Sequence, residues 1–395
     1  MSDKLTKNKR LLFFITVMVT NIAIMADSPL YTISNELYNA WPNSAALVNF
    51  ALSGPPLIML LAAFVAPFIL KKFTKKQLLI AGSVLFTVGA VFSVAIPTAL
   101  WFAAMRTLVG FGQGFIQMTS IAMLTEVYYD AAVRNKYMGY YNASTGIIGI
   151  IYNYFAGHWA VVSYAKALNV YYLAIPMLIM VFMFIPELGR EEAASDENKE
   201  TKTAAGVKEF IGAKYITYSG FLLVYYTVSM VLAYFNSVYI AEQGLGNSVL
   251  AGYISIVGQI ASFVTSMMFG PLMKVLKKWA LSVGVLLMFI EFALYQFVPS
   301  VPVLLFCRFI HMASFGLVFT YHQAVVPSYA PESQRNTAIS WITIIYGLGT
   351  FLSTYLATGL MGMFDGTFSS TIVVYTVVFG ALTAITAVAA AKEKN

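Results

Sequence analysis

The chain alternates long apolar runs with short polar segments twelve times over. The runs cover residues 11–31, 45–70, 78–96, 100–124, 137–162, 168–185, 215–239, 249–273, 279–298, 303–326, 339–361 and 371–391. Crossing about 30 Å of hydrocarbon takes about 20 apolar residues, and every run is of that order. With no water to bond the backbone, each is predicted to be a helix that satisfies its own N–H and C=O groups. The first run follows a basic stretch, as a signal peptide would. It is too long for an apolar signal core, and no small-residue cleavage site follows it, so a retained first span is expected.

The polar segments carry the topology. With the N-terminus on the cytoplasmic side, 21 of the 24 Lys and Arg residues fall in inward-facing segments. Lys166 alone falls outside, and Arg106 and Arg308 lie within spans. Such asymmetry predicts both termini in the cytoplasm of a plasma-membrane protein. It also accounts for the net charge of +7 without any nucleic-acid partner. The longest polar stretch, 187–209, reads as a cytoplasmic linker between an N-terminal six-helix bundle (1–186) and a C-terminal one (210–395). Only 10% of residues are charged, against about 25% in soluble domains, so the fold class expected is an all-α membrane protein of twelve transmembrane helices. The other loops leave no room for a soluble catalytic domain, and the lone Cys307 excludes an intramolecular disulfide.

The two bundles are expected to be pseudo-symmetric because the chain repeats itself. RTLVGFGQG from Arg106 returns as RFIHMASFG from Arg308, 202 positions on. APFILKKFTKK from Ala66 returns as GPLMKVLKK from Gly270, and DAAVRN, ending at Asn135, returns as PESQRN, ending at Asn336. A near-constant offset over three separate matches marks a duplication, and parallel repeats of this kind build one large class of transporter.

Ionisable side chains within spans are expensive, which makes Asp27, Arg106, Glu291, Arg308 and His311 the candidates for function. At about 1.5 Å per residue, Asp27 lies roughly 24 Å from the inner face. By the same rise Arg106 lies roughly 9 Å below the outer face. In a core about 30 Å thick those depths nearly coincide, so the two can pair without bending either helix. Asp27 is expected to respond to protons, with Arg106 holding it charged. Arg308 and His311 share a helix face and could attract an organic anion, although His311 could equally bond a neighbouring helix. Glu291 sits mid-span with either a direct role or a neighbour to bond.

Aromatic and amide residues add weaker candidates for a substrate pocket: Tyr225, Tyr226 and Asn236 in the seventh span, Asn142 in the fifth, and Gln259 in the eighth. Gln323 and Asn49 are similar. Gly110 and Gly114, with Lys71 and Lys75 in the first basic turn, are candidates for gating, since small residues let helices approach closely. The basic turns also suit anionic lipid.

These motifs together resemble the major facilitator superfamily over nearly the whole chain. RTLVGFGQG is similar to that family's fourth-helix motif, and MADSPLYTISNEL to the acidic first-helix motif of drug/proton antiporters, with Asp27 at the acidic position. Two features depart from the pattern. Lys71 stands where the loop after the second helix carries an aspartate, and the fifth span lacks the Gly-Pro pair of antiporters. The resemblance implies two bundles rocking about a central site, with a proton as the driving ion and no cofactor. The first reading is proton-coupled transport of a small, partly apolar organic compound by a monomer in the bilayer, with efflux as the direction considered. Uptake or exchange of an organic anion is the second reading, and a non-transporting membrane sensor the third. No nucleotide-binding loop, metal-ligand spacing or GxSxG motif is present to suggest a pump or an enzyme.

Overall fold

The computed structural model describes residues 6–187, 213–325 and 335–392. Nearly all of the 187–209 linker, most of the PESQRN segment and the side chain of Gln323 lie outside the described residues. Within them the chain is helical and contains no strand. It divides into two compact units, Met1–Asp196 and Glu197–Asn395.

In the first unit the first span is not one helix. It runs as α1 (Lys7–Val19), α2 (Asn21–Ile24), α3 (Ser28–Thr32) and α4 (Ser34–Ala40). The run over 11–31 is thus interrupted at Thr20 and at residues 25–27, and the helix that continues it at Ile33. Pro29 has no N–H to offer the Met25 carbonyl, and its ring crowds that carbonyl. Met25 accepts from Ser28 three residues on instead, and the helix opens around Asp27. The unit continues with α5 (Ala45–Leu70), α6 (Lys75–Val91), α7 (Ala99–Val127), α8 (Ala131–Ala160), the short α9 (Tyr164–Ala167) and α10 (Ala174–Phe184).

Glycines on α7 decide how closely it packs. A β-carbon on Gly114 would lie 2.6 Å from the Met59 carbonyl oxygen of α5, and one on Gly110 would lie 2.9 Å from that of Pro55. On another face, a β-carbon on Gly112 would lie 2.6 Å from the Phe86 nitrogen of α6. α7 is therefore clasped between α5 and α6 at backbone contact distance. Gly110 and Gly114, the gating candidates, sit at this packed seam. At the end of the seam Lys75, only 8% exposed, bonds Glu126 at 2.9 Å. Lys71 is exposed, with its ammonium 5.5 Å from the Phe68 ring centre.

The second unit comprises α11 (Ala213–Glu242), α12 (Ser248–Leu276), α13 (Ala280–Phe297), α14 (Val301–Val325), α15 (Arg335–Met363) and α16 (Phe368–Lys392). Gly349 of α15 admits Tyr226 of α11, whose Cβ would be 2.8 Å from an added β-carbon. Glu242, at the end of α11, accepts the Phe368 and Ser369 backbone N–H groups at 2.7 and 2.8 Å and so caps α16. Among the described residues eleven helical segments are long and apolar enough to cross a membrane. α8 has the length of a span but is more polar, because several of its side chains bond the broken first span.

Replacing Gly114 with Ala is expected to lower the unfolding midpoint in detergent, at a cost on the order of 1–3 kcal/mol from overpacking. Gly139→Ala, where an added β-carbon meets nothing within 4 Å, serves as control and leaves the midpoint unchanged or slightly raised.

Candidate functional site

The site of the first unit grows out of the opened helix. Breaking it frees backbone groups that lipid cannot solvate, so side chains must meet them. Tyr152 of α8 donates its hydroxyl to the Ile22 carbonyl at 3.0 Å. Gln113 of α7 donates to that of Ala23 at 3.0 Å, and Tyr171, in the 3-10 turn before α10, to that of Ala26 at 2.6 Å. Asn153 of α8 donates to the Ser28 hydroxyl at 2.7 Å and accepts from that of Thr32 at 2.8 Å. Asn21 reaches the Tyr141 carbonyl at 2.9 Å and the Ser144 hydroxyl at 2.7 Å.

Asp27 lies at this opening with its side chain 14% exposed. One terminal nitrogen of Arg106 bonds its Oδ1, and Gln113 Nε2 lies 3.3 Å from its Oδ2. Arg106 is fully buried, and its Nε donates to the Ala51 carbonyl of α5 at 3.0 Å. That carbonyl is available because the residue four positions on is Pro55, which cannot donate the helical bond. One guanidinium thus joins a proline-released carbonyl on α5 to a carboxylate at the break in the first span. Its other terminal nitrogen, Nη1, is buried with no protein partner. The carboxylate can neutralise itself by taking a proton; the guanidinium cannot.

The second unit holds a separate buried pair. Glu291 of α13, 1% exposed, lies with Oε2 2.9 Å from Nδ1 of His311 on α14, which is 0% exposed. Arg308, half-buried one turn earlier, packs on Gly258 of α12, where an added β-carbon would be 2.6 Å from its Nε. Tyr225 shares a 2.9 Å hydrogen bond with Ser314 of α14, and Asn236 accepts from the Tyr295 hydroxyl at 2.9 Å. Tyr226 is fully buried among Phe315, His322 and Tyr346, and its hydroxyl has no protein partner. Asn142 is exposed on α8, Gln259 is half-buried on α12, and buried Asn49 accepts from Tyr38 at 2.6 Å.

Sequence reasoning missed Gln113 and Tyr171. Gln113 was legible in principle: it lies seven residues after Arg106, two turns along and on the same helix face. Tyr171 was not, because its reach depends on the 3-10 turn.

A duplicated membrane protein of twelve spanning helices, its first span opened around a buried ion pair, has the build of a secondary transporter. The chain matches the family model of the Major Facilitator Superfamily over residues 11–280 and 218–393, and it belongs to that superfamily. It is an integral membrane protein with a transporter fold. No curated protein matches it by sequence. Among solved structures it is similar to the nucleoside transporter NupG, with TM-score 0.82 and 12% identity over 98% of this chain and 100% of that one. It is also similar to a bacterial homologue of the human lysosomal transporter Spinster, with TM-score 0.72 and 13% identity over 97% and 98% of the two chains. The inward-open xylose transporter XylE from E. coli gives TM-score 0.70 and 14% identity over 96% and 95%. At such identities the likeness is one of fold.

Arg106→Lys keeps a charge opposite Asp27 but loses the fork that reaches Ala51 at the same time. It is expected to cost about 1–3 kcal/mol, the price of an unmet buried carbonyl. Arg106→Gln, which strands the carboxylate, is expected to cost about 3–5 kcal/mol. Thermal unfolding in one detergent at one pH ranks the two.

Proposed function

We propose that this protein is a proton-coupled transporter that moves a small, partly apolar organic compound across the plasma membrane by alternating access, with both termini cytoplasmic. The observation that carries the reading is Asp27. It is a partly accessible carboxylate at a helix break, held by the donors of Arg106 and Gln113. Charged, it accepts from both. Once protonated it leaves the guanidinium without a counter-ion, so loading a proton favours any conformation in which Arg106 finds other acceptors or water. The proton is thereby tied to a change of conformation. Broken spans that line or adjoin a site are a recurring device of transporters, which supports the same reading.

For the substrate, neutral compounds come first. Solved relatives of this fold are named as a nucleoside transporter and a D-xylose–proton symporter, and both names point to uncharged ligands with polar edges. The symporter gives uptake equal standing with efflux. Organic-anion transport, the alternative, relied on Arg106, Arg308 and His311. Arg106 is matched by Asp27 and His311 by Glu291, so neither is free to attract an anion.

A thermal-shift screen of nucleosides, sugars, carboxylates and lipophilic amines identifies a ligand by mass action. With that ligand, Asp27→Asn in vesicles is expected to abolish accumulation driven by a pH gradient while energy-independent exchange persists. Accumulation that still follows the pH gradient at the wild-type rate overturns the assignment.

A further inference from the structure

The second unit carries an acid–base pair that the reading above does not use. Glu291 and His311 face each other across α13 and α14 at 2.9 Å, both shut off from solvent. A pair so deeply buried is costly to keep unless it has a use, and ionisable groups inside membrane spans are functional by default. Its second feature is more specific. His311 Nε2, the nitrogen turned away from Glu291, is buried and has no protein partner. An imidazole with Nδ1–H donated to a carboxylate presents at Nε2 an accepting lone pair, and no protein group donates to it.

We infer that His311 Nε2, backed by Glu291, is a proton-binding site of the second unit, distinct from Asp27. Uptake forms one N–H bond from the Nε2 lone pair and a proton supplied by water. It takes the pair from a net charge of −1 to a neutral imidazolium–carboxylate, and the hydrogen bond to Glu291 is kept throughout. The surroundings suit a group that must change charge without losing its place. From α14 itself Cys307 and Arg308 lie nearby, from α13 Tyr295, and from α11 Tyr225. The titratable side chains described on the other elements packed on α13 and α14 are Tyr253 and Lys274 of α12, Lys277 and Lys278 of the 3-10 turn before α13, Tyr346 and Tyr355 of α15, and Tyr375 and Lys392 of α16. Tyr375 packs on Phe292, and none of these side chains carries a carboxylate.

A second buried histidine lies on the same helix. His322 lies eleven residues beyond His311, three turns along on the same face, or about 16 Å. Its Nδ1 shares a 3.1 Å hydrogen bond with Tyr218, and its Nε2 too is buried without a protein partner. Tyr218 lines a cavity of about 590 Å³ together with Tyr321 and Lys278. Between the two histidines the Tyr225–Ser314 hydrogen bond supplies hydroxyls one turn below His311.

The chain has three histidines, so nitrogen-15 labelling of histidine in the purified full-length protein gives three assignable side chains in an NMR titration. His158→Gln and His322→Gln identify the His311 signal by elimination. The expected result is that His311 gains one proton across the range of about pH 5–8 that histidines serve. Glu291→Gln, which removes the counter-charge, is expected to cut its proton affinity by about tenfold or more. A wild-type His311 that holds one protonation state throughout overturns the proposal, and this needs no variant to fold. So does a Glu291→Gln signal that titrates as in the wild type. Asp27→Asn is expected to leave the His311 titration in place, so this site and the Asp27 reading stand or fall separately.

Discussion

In hydrocarbon a backbone carbonyl without a donor costs several kcal/mol, and that constraint organises the first unit more than any single contact. The first span opens at Pro29, and α5 carries prolines at 55, 56 and 67, so carbonyls are released at several places along the two spans. The described repairs come from three elements: Gln113 and Arg106 from α7, Tyr152 from α8, and Tyr171 from the turn before α10. The polarity of α8 follows from this duty, and so does the burial of an arginine. Asp27 precedes α3, yet its side chain does not cap that helix. It turns to Arg106, so the break that requires repair also presents the acid.

The two halves solve one packing problem in two ways. Arg106 and Arg308 are repeat equivalents by sequence, each on the helix after a tight turn, each laid against the second helix of its own unit. In the first unit a proline releases the carbonyl that receives Nε. In the second, Gly258, which falls opposite Gly54 in the repeat, leaves the space that Nε enters. The acids have diverged further. The first unit keeps its carboxylate on the first span, and the second keeps one on α13, the counterpart of the third span. The scaffold repeats, while the buried carboxylates stand on helices that are not equivalent in the repeat.

What could be read before folding was what depends on depth and period. Twelve spans, the duplication and the matching depths of Asp27 and Arg106 needed only helix rise and hydrocarbon thickness. The opened first span was not legible as such. Pro29 was visible, but whether a proline bends a helix or breaks it depends on donors from other helices, which sequence does not place. The partner of His311 was hidden for a related reason. Glu291 lies twenty residues away across a turn, and choosing it over several other polar groups takes the rotation of both helices. Glycine spacing gave close approach, yet only coordinates separate Gly112, which faces α6, from Gly110 and Gly114, which face α5.

The two buried pairs differ in what a proton does to them. Arg106 cannot give up its charge, so a proton on Asp27 takes that pair from neutral to a net positive charge in a water-poor site. On the proposed reading, either water then solvates the guanidinium or it finds new acceptors. The pair in the second unit contains no fixed charge. A proton on His311 takes it to neutrality while the hydrogen bond to Glu291 is kept. On the two proposals, one centre couples proton binding to movement and the other takes up a proton in place. A chain with only the second kind could bind protons without moving, so the proposed coupling rests on the ion pair at the broken first span.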